Sequence, residues 1–311
     1  MKKWRRNPCG DGQFEKKSKS KIGVYHQYGT ALPCHHRSEV PGDIQADPCH
    51  RNIGTRKVVR NTLSQVKIAS KYELDDPKRT LEHREIILSK PFLKRIYTDW
   101  YNEILREAAT TPEGIKLEIG SGGGFIKDLD SSVITSDILE LPNVDKVFNA
   151  EKMPFEDSQL SAIMMVNVFH HIPNVRNFLT EASRVLKKGG KIIMIEPANS
   201  LLSRFIYKNF HHELFDEKRD WTFPESGPLS GSNQALPYIV FKRDKNEFAR
   251  SFPNLSVDKF YLHTAYRYIL SGGVSRNQLV PDFMYSFFRT MEGVFPNCTG
   301  MFQTIVISKN E

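Results

Sequence analysis

The chain has 311 residues, 39% of them hydrophobic and 26% charged, which is the composition of a globular protein long enough for one large domain or two ordinary ones. The formal charge of +8 lies in the first 60 residues, where 13 Lys/Arg face 5 Asp/Glu, and the remainder is neutral. A nucleic-acid enzyme carries its basic footprint on the folded domain that meets the phosphates, so this distribution weighs against such a partner. No uninterrupted apolar run is long enough to cross a bilayer, so no transmembrane segment is expected.

Residues 1–70 are rich in Lys, Ser, Gly and Pro with few periodic apolar positions, which predicts a disordered basic extension. The start "MKKWRRNPCG" leads into polar "DGQFEKKSKSK", so no secretory signal is expected and the cytoplasm is the expected location. Three of the four cysteines, Cys9, Cys34 and Cys49, lie in this head, and Cys298 lies far downstream. Cys34, His35, Cys49 and His50 could be drawn as a metal site, yet their spacing matches no common zinc pattern, and reduced thiols without a metal are expected.

Residues 71–311 read as the folded domain. Between 76 and 109 the apolar positions Leu93, Ile96, Trp100, Ile104 and Leu105 recur at helical spacing, and Pro91 divides the stretch into two helices. From Ile115 the pattern alternates. A strand at 115–119 leads into a glycine loop and a helix, followed by strands ending at Asp137 and Asn149. An all-apolar strand covers 160–168, an amphipathic helix 174–188 with Gly189-Gly190 as its stop, and a strand 191–197. Repeated β–α alternation predicts a Rossmann-like open α/β sheet, mostly parallel, with helices on both faces. Beyond 197 the rhythm breaks into insertions at 198–255 and 264–300. The first holds one helical stretch and the second is rich in aromatics, with late strands at 256–263 and 301–309, the last of them antiparallel.

The stretch "KLEIGSGGGFIKDL" (116–129) places Glu118, Gly120, Ser121, Gly122 and Gly124 in one loop. A nicotinamide fingerprint fails because Phe125 stands where its third Gly belongs, and a phosphate loop fails because no G-K-[ST] follows. Asp137 closes the second strand beside the loop, where a carboxylate can accept from both hydroxyls of a ribose, with Ile138 next to it. Asn149, Ala150 and Glu151 close the third strand at the edge suited to an adenine.

As a set, residues 115–197 resemble the class I S-adenosylmethionine-dependent methyltransferases, in the broad group that includes quinone and small-molecule O-methyltransferases. The resemblance implies S-adenosyl-L-methionine as cofactor, with the Glu118–Gly124 loop under its methionine and ribose, Asp137 on the ribose and Asn149 at the adenine, where the family more often has Asp. "MPF" (153–155) stands for the family's "LPF". "VNVFHHIP" implies Asn167 near the methionine end and His170 and His171 near the methyl group. The flanking segments resemble a bacterial methyltransferase group of unassigned acceptor, extending the match to about 76–308.

The reaction so implied is methyl transfer to a small molecule, expected to be O-methylation by in-line displacement. His171 is the first candidate for the base and His170 the second, and His211, His212 and Glu213 are candidates for the acceptor pocket in the insertion. Of two adjacent histidines, one is expected to face the site and the other to pack or face solvent. Glu196-Pro197 reads as a strand end, Gly272-Gly273 as a turn, and "FMYSFF" (283–288) as core, although a hydrophobic or lipid-linked acceptor, with peripheral contact to a membrane, would suit it as a lip. Two rival functions are weighed. An RNA or DNA methyltransferase would carry N/D-P-P-Y/F after the fourth strand, where "NVFH" stands, and a non-catalytic cofactor-binding scaffold would use the basic head.

Overall fold

Two helices open the described part of the chain, which in this computed structural model is residues 70–310 apart from 225 and 295–298. The readings made for the head, for Cys9, Cys34, His35, Cys49 and His50, and for Cys298 lie outside those residues. Asp76 caps α1 (Pro77–Ser89) by accepting from the Lys78 N–H at 2.8 Å, and Pro91 starts α2 (Pro91–Ala108). Proline suits the first turn because its missing N–H would have no helical partner there. Phe92, Leu93, Ile96, Trp100 and Ile104 form the buried stripe of α2, and the Trp100 ring lies 4.6 Å from that of Phe302 on the sheet.

The sheet has the order β3-β2-β1-β4-β5-β7-β6. Its strands are β1 (Ile115–Ile119), β2 (Ile134–Asp137), β3 (Lys146–Val147), β4 (Leu160–Val166), β5 (Leu186–Pro197), β6 (Leu255–His263) and β7 (Phe302–Lys309). Strands β1 to β5 pair in parallel, and β7 runs antiparallel to both its neighbours. Central β4 reads "LSAIMMV" and is buried along nearly its whole length, because layers on both faces remove any need for polar alternation. The strand order reverses between β1 and β4. At such a reversal the loops leave in opposite directions and open a crevice at the carboxyl ends of the strands. Gly120 follows β1 and Asn167 follows β4 at that point.

Several expectations are corrected. The glycine loop enters two short 3-10 turns, at 121–123 and 126–128, and no α-helix. Only 14 residues separate β1 from β2 in the chain, and four of the first five are glycines, poor helix formers. Helix α3 (Val175–Val185) ends earlier than 188, and its chain passes directly into β5. Gly189, at φ 75°, therefore sits in an irregularity of β5 between the pairings of Leu160 and Ala162 rather than capping a helix. Strand β3 stops at Val147, leaving Asn149 outside it.

The insertions are more helical than expected. Ser200 and Ser203 form a reciprocal capping box on α4 (Leu201–Phe210). Helical turn α5 (Leu236–Tyr238), a π-turn at 239–243 and α6 (Lys245–Ser251) follow, then α7 (Arg267–Ser271) and α8 (Tyr285–Glu292). "FMYSFF" is only partly core. Tyr285 is buried and Phe288 packs against the core, whereas Phe283 and Phe287 are exposed. Among the described residues no helix is long and apolar enough to cross a membrane.

Candidate active site

The glycine loop turns where only glycine fits. Gly120 adopts φ 68°, and a Cβ there would meet Val168 Cγ2 at 2.3 Å. A Cβ at Gly122 would meet the Asp137 carboxylate at 2.8 Å and Thr80 of α1 at 2.5 Å. The loop is thus pressed against β4 on one side, with Asp137 and α1 on the other. Asp137 is buried, accepting from the Gly122 N–H through Oδ2 and the Leu139 N–H through Oδ1, both at 3.0 Å. Burial raises its carboxyl above the ordinary value, and the Leu139, Gly122 and Ile138 N–H groups partly offset that. A carboxylate offers about four lone-pair sites, so at least one direction stays open for a further donor. Ile138 beside it is half exposed.

Glu118 and Asn167 each hold one buried acceptor atom without a donor. Neither Glu118 Oε2 nor Asn167 Oδ1 has a hydrogen-bond partner. Burial pushes the Glu118 carboxyl up to about 7, against the opposing pull of the Ser121 and Tyr101 hydroxyls. Asn167 takes φ 57°, the left-handed region that Asn tolerates better than most residues. Tyr101 lies beside Glu118 and Tyr97 beside Asn167, one turn apart on α2. Two orphaned buried acceptors are costly unless something arrives to donate to them. They suit a ligand bearing an ammonium group, and the Asp137 oxygens suit a diol. The adjacent cavity, lined by Arg84, Glu118, Ser121, Gly124, Thr135 and Asn143, measures about 30 Å³. That is below the roughly 300–1,000 Å³ usual for a ligand cleft, and Thr80 of α1 is what closes on Gly122.

The third-strand residues contribute less than expected. Asn149 Oδ1 accepts from the Glu151 N–H at 2.8 Å, closing a local turn. The Glu151 carboxylate takes the Asn174 N–H at 2.9 Å and the Asn177 side-chain amide at 3.1 Å, so it is committed to the start of α3. Ala150 packs partly buried against the core. The Ser121 hydroxyl is spent within the loop on the Glu118 carbonyl.

A second cluster gathers after β4 and β5. His170 is buried, with Nδ1 2.6 Å from Glu196 Oε2 and Nε2 3.4 Å from Glu213 Oε2. His171 donates from Nδ1 to the Gly231 carbonyl at 3.0 Å and turns Nε2 toward Glu213 Oε1 at 3.9 Å. Both rings face Glu213, contrary to the expectation that one of the pair would turn away. Glu196, expected only to end a strand, is fully buried and holds the Val168 and Phe169 N–H groups at 2.8 Å each besides His170. Its signal was available as the lone acid in the apolar run "KIIMIEP". Burial lowers the His170 pKa, but Glu196 and Glu213 outweigh it and hold the ring up to about 9. Burial and the neighbouring His170 push His171 down to about 4. Burial alone would raise Glu213, yet His170 and His171 pull it well below the usual range. Gln234 donates to Glu213 at 2.8 Å and bonds His211 at 3.0 Å, while His212 stays exposed at the rim. Tyr268, missed from the sequence, lies near both Tyr97 and Glu213 and so links the two clusters.

Residues 117–194 match the family described as a methyltransferase domain. A ubiquinone/menaquinone biosynthesis C-methyltransferase of Bartonella bacilliformis is 32% identical over 110 residues, 34% of this chain and 36% of that protein. The demethylmenaquinone methyltransferase of Symbiobacterium thermophilum is 24% identical over 203 residues, 57% of this chain and 79% of that protein. The chain thus spans about a third of the first relative's length and most of the second's. Among solved structures, geranyl diphosphate C-methyltransferase from Streptomyces coelicolor A3(2) is similar at 13% identity and a TM-score of 0.41, covering 78% of this chain and 88% of that one. Residues 117–194 are a methyltransferase domain.

Proposed function

We propose that this chain, through that domain, transfers a methyl group from S-adenosylmethionine to a hydrophobic small molecule. The acceptor atom is an oxygen, or a carbon made nucleophilic by loss of a neighbouring hydroxyl proton. The observation that carries the reading is the pair of buried, donor-less acceptors, Glu118 Oε2 and Asn167 Oδ1, flanking a glycine loop tied to Asp137. The cofactor's ammonium would satisfy that pair, and its ribose would donate to Asp137. Bound S-adenosylmethionine supplies an electrophilic methyl on a good leaving group.

The chain's own task is alignment and proton removal. Holding acceptor and methyl in line can contribute roughly 7–11 kcal/mol. A positioned base adds about 10²–10⁴-fold. His171 serves as that base in this reading. Its Nδ1–H is spent on Gly231, which leaves the Nε2 lone pair free, and the Glu196–His170 pair behind it fixes the loop. The names of the quinone-pathway relatives support carbon as acceptor atom, and the same base serves either case.

Two apolar stripes support a hydrophobic or lipid-linked acceptor met at a membrane surface. Leu201, Phe205 and Phe210 are exposed on α4, and Phe283, Phe287, Met291 and Val294 recur along one side of α8 and its flanks. A neutral folded region and the absence of the base-methylating motif weigh against RNA. The reading is tested by calorimetry with S-adenosylhomocysteine and by label transfer from methyl-labelled cofactor into a lipid extract. Asp137→Ala is expected to weaken cofactor binding at least tenfold. Unchanged affinity in that variant, or heat from NADH or ATP in place of the nucleoside, would refute it.

A further inference from the structure

We infer that His170, His171 and Glu213 form a binding site for one divalent transition-metal ion, with Zn²⁺ as the reference occupant. One ligand atom from each of the three lies within 4.8 Å of the others. The two measured separations to Glu213, 3.4 Å from His170 and 3.9 Å from His171, approach the roughly 3.4 Å edge of a tetrahedron with metal–ligand bonds of about 2.1 Å. The two contacts use different Glu213 oxygens and the third edge lies within 4.8 Å, so side-chain shifts on the order of 1 Å would bring the Nε2 atoms and the carboxylate onto a common centre.

Two further observations point to a metal rather than to a chance cluster. Each histidine has its Nδ1 already directed at an acceptor, His170 at the Glu196 carboxylate and His171 at the Gly231 carbonyl. In the neutral rings that arrangement places the coordinating lone pair on Nε2, facing Glu213, so the ion would displace the His170 proton, and it is the outer support that metal-bound histidines almost always carry. The cluster also holds two carboxylates. Glu196 is fully buried and the Glu213 side chain is 14% exposed, and among the described residues neither has a Lys or Arg ion-pair partner. A divalent ion in place of the His170 proton would compensate both carboxylates more fully.

Two imidazoles with one carboxylate select a borderline first-row ion over Mg²⁺ or Ca²⁺. Three protein ligands leave a fourth position open, which is the form of a catalytic rather than a structural site. Resting on the proposed function, an acceptor hydroxyl at that position would lose its proton to solvent at a lower pH, so coordination would take over the role given above to His171. Binding of the ion itself does not depend on that reading.

The test uses the full chain, stripped with a chelator and titrated with Zn²⁺ by calorimetry, while S-adenosylhomocysteine affinity is measured on the same metal-free sample. The expected result is one Zn²⁺ per chain, with affinity reduced at least tenfold in Glu213→Gln and in His171→Ala and about 10–100-fold in Glu196→Gln. Should those variants not fold, Co²⁺ added to the native chain decides the matter. Intense visible d–d bands without thiolate charge transfer support the site. Thiolate charge transfer, which would place the ion on cysteines, overturns it. So does a spectrum of hydrated Co²⁺, or Zn²⁺ affinity equal in native chain and variants. Cofactor binding that persists while metal binding fails overturns the metal site alone, and the converse overturns the cofactor reading alone.

Discussion

The proposed contact between the cofactor ammonium and the Glu118 carboxyl makes cofactor affinity a function of pH. In the free protein this fully buried group titrates at about 7. Tyr101, Asp137 and Arg84 are the other ionisable groups acting on it. A ligand ammonium that donates to Oε2 favours the ionised form, so binding releases the proton and affinity rises with pH. A group titrating about 7 is roughly 3% ionised at about pH 5.5 and roughly 97% at about pH 8.5. The expected gain in affinity for S-adenosylhomocysteine is therefore on the order of 30-fold, or about 2 kcal/mol. Stability runs the other way. The folded pKa lies above the ordinary 4.5, so the contribution is full below about pH 4.5 and is lost as pH rises through about 7, an effect of about 3 kcal/mol for a group this deeply buried. Glu118→Gln should flatten the affinity profile, weaken binding at high pH, and raise the melting temperature near pH 8. Calorimetry at several pH values, in two buffers of different ionisation enthalpy, measures both the affinity and the protons released. Affinity constant within twofold across that range, or falling with pH, would refute the assignment of Glu118 to the ammonium.

Three other outcomes are expected, beyond the metal titration above. Asp137→Asn keeps the size of the side chain but not its charge, and should weaken S-adenosylhomocysteine binding about tenfold while the fold, followed by circular dichroism, survives. Glu196→Ala strands two backbone N–H groups and His170 in the interior, which should cost about 3–5 kcal/mol. For a domain of this size that is a fall in melting temperature on the order of 10 °C, and a shift below about 2 °C would show that Glu196 is not the anchor. Phe283→Asp combined with Phe287→Asp touches exposed positions only, so it should leave the melting temperature within a few degrees and reduce sedimentation with lipid vesicles several-fold. Equal sedimentation would remove the membrane-facing role of α8.

Much of the first half-site was legible before any coordinates. The strand run 115–119, the glycines that follow and the acid closing the next strand each express a local requirement: a buried apolar run, a turn that a Cβ would obstruct, a carboxylate at a strand end. Such requirements act over a few residues, so the order of side chains along the chain records them directly. The same logic located α1 and α2 through their apolar periodicity and Pro91, and α4 as one helical stretch. It failed where local preference was overruled by pairing. The helix expected to reach 188 yields at Leu186 because that residue is recruited into the sheet beside Leu160. Glu151, which looked free to face an adenine, is instead claimed by the N-terminus of α3, 23 residues on.

What the sequence determined by itself was therefore the α/β class, the position of the glycine loop and the acid beside it. The second cluster was decided only by tertiary structure. His170 and His171 follow β4, Glu196 ends β5, and Glu213 lies in an insertion that has no periodicity of its own. They meet because β4 and β5 are neighbours in the order β3-β2-β1-β4-β5-β7-β6 and because Gln234 and the Gly231 carbonyl hold the insertion over both strand ends. Contacts made across such distances in the chain depend on which surfaces pack together, and no short-range pattern of residues encodes that choice.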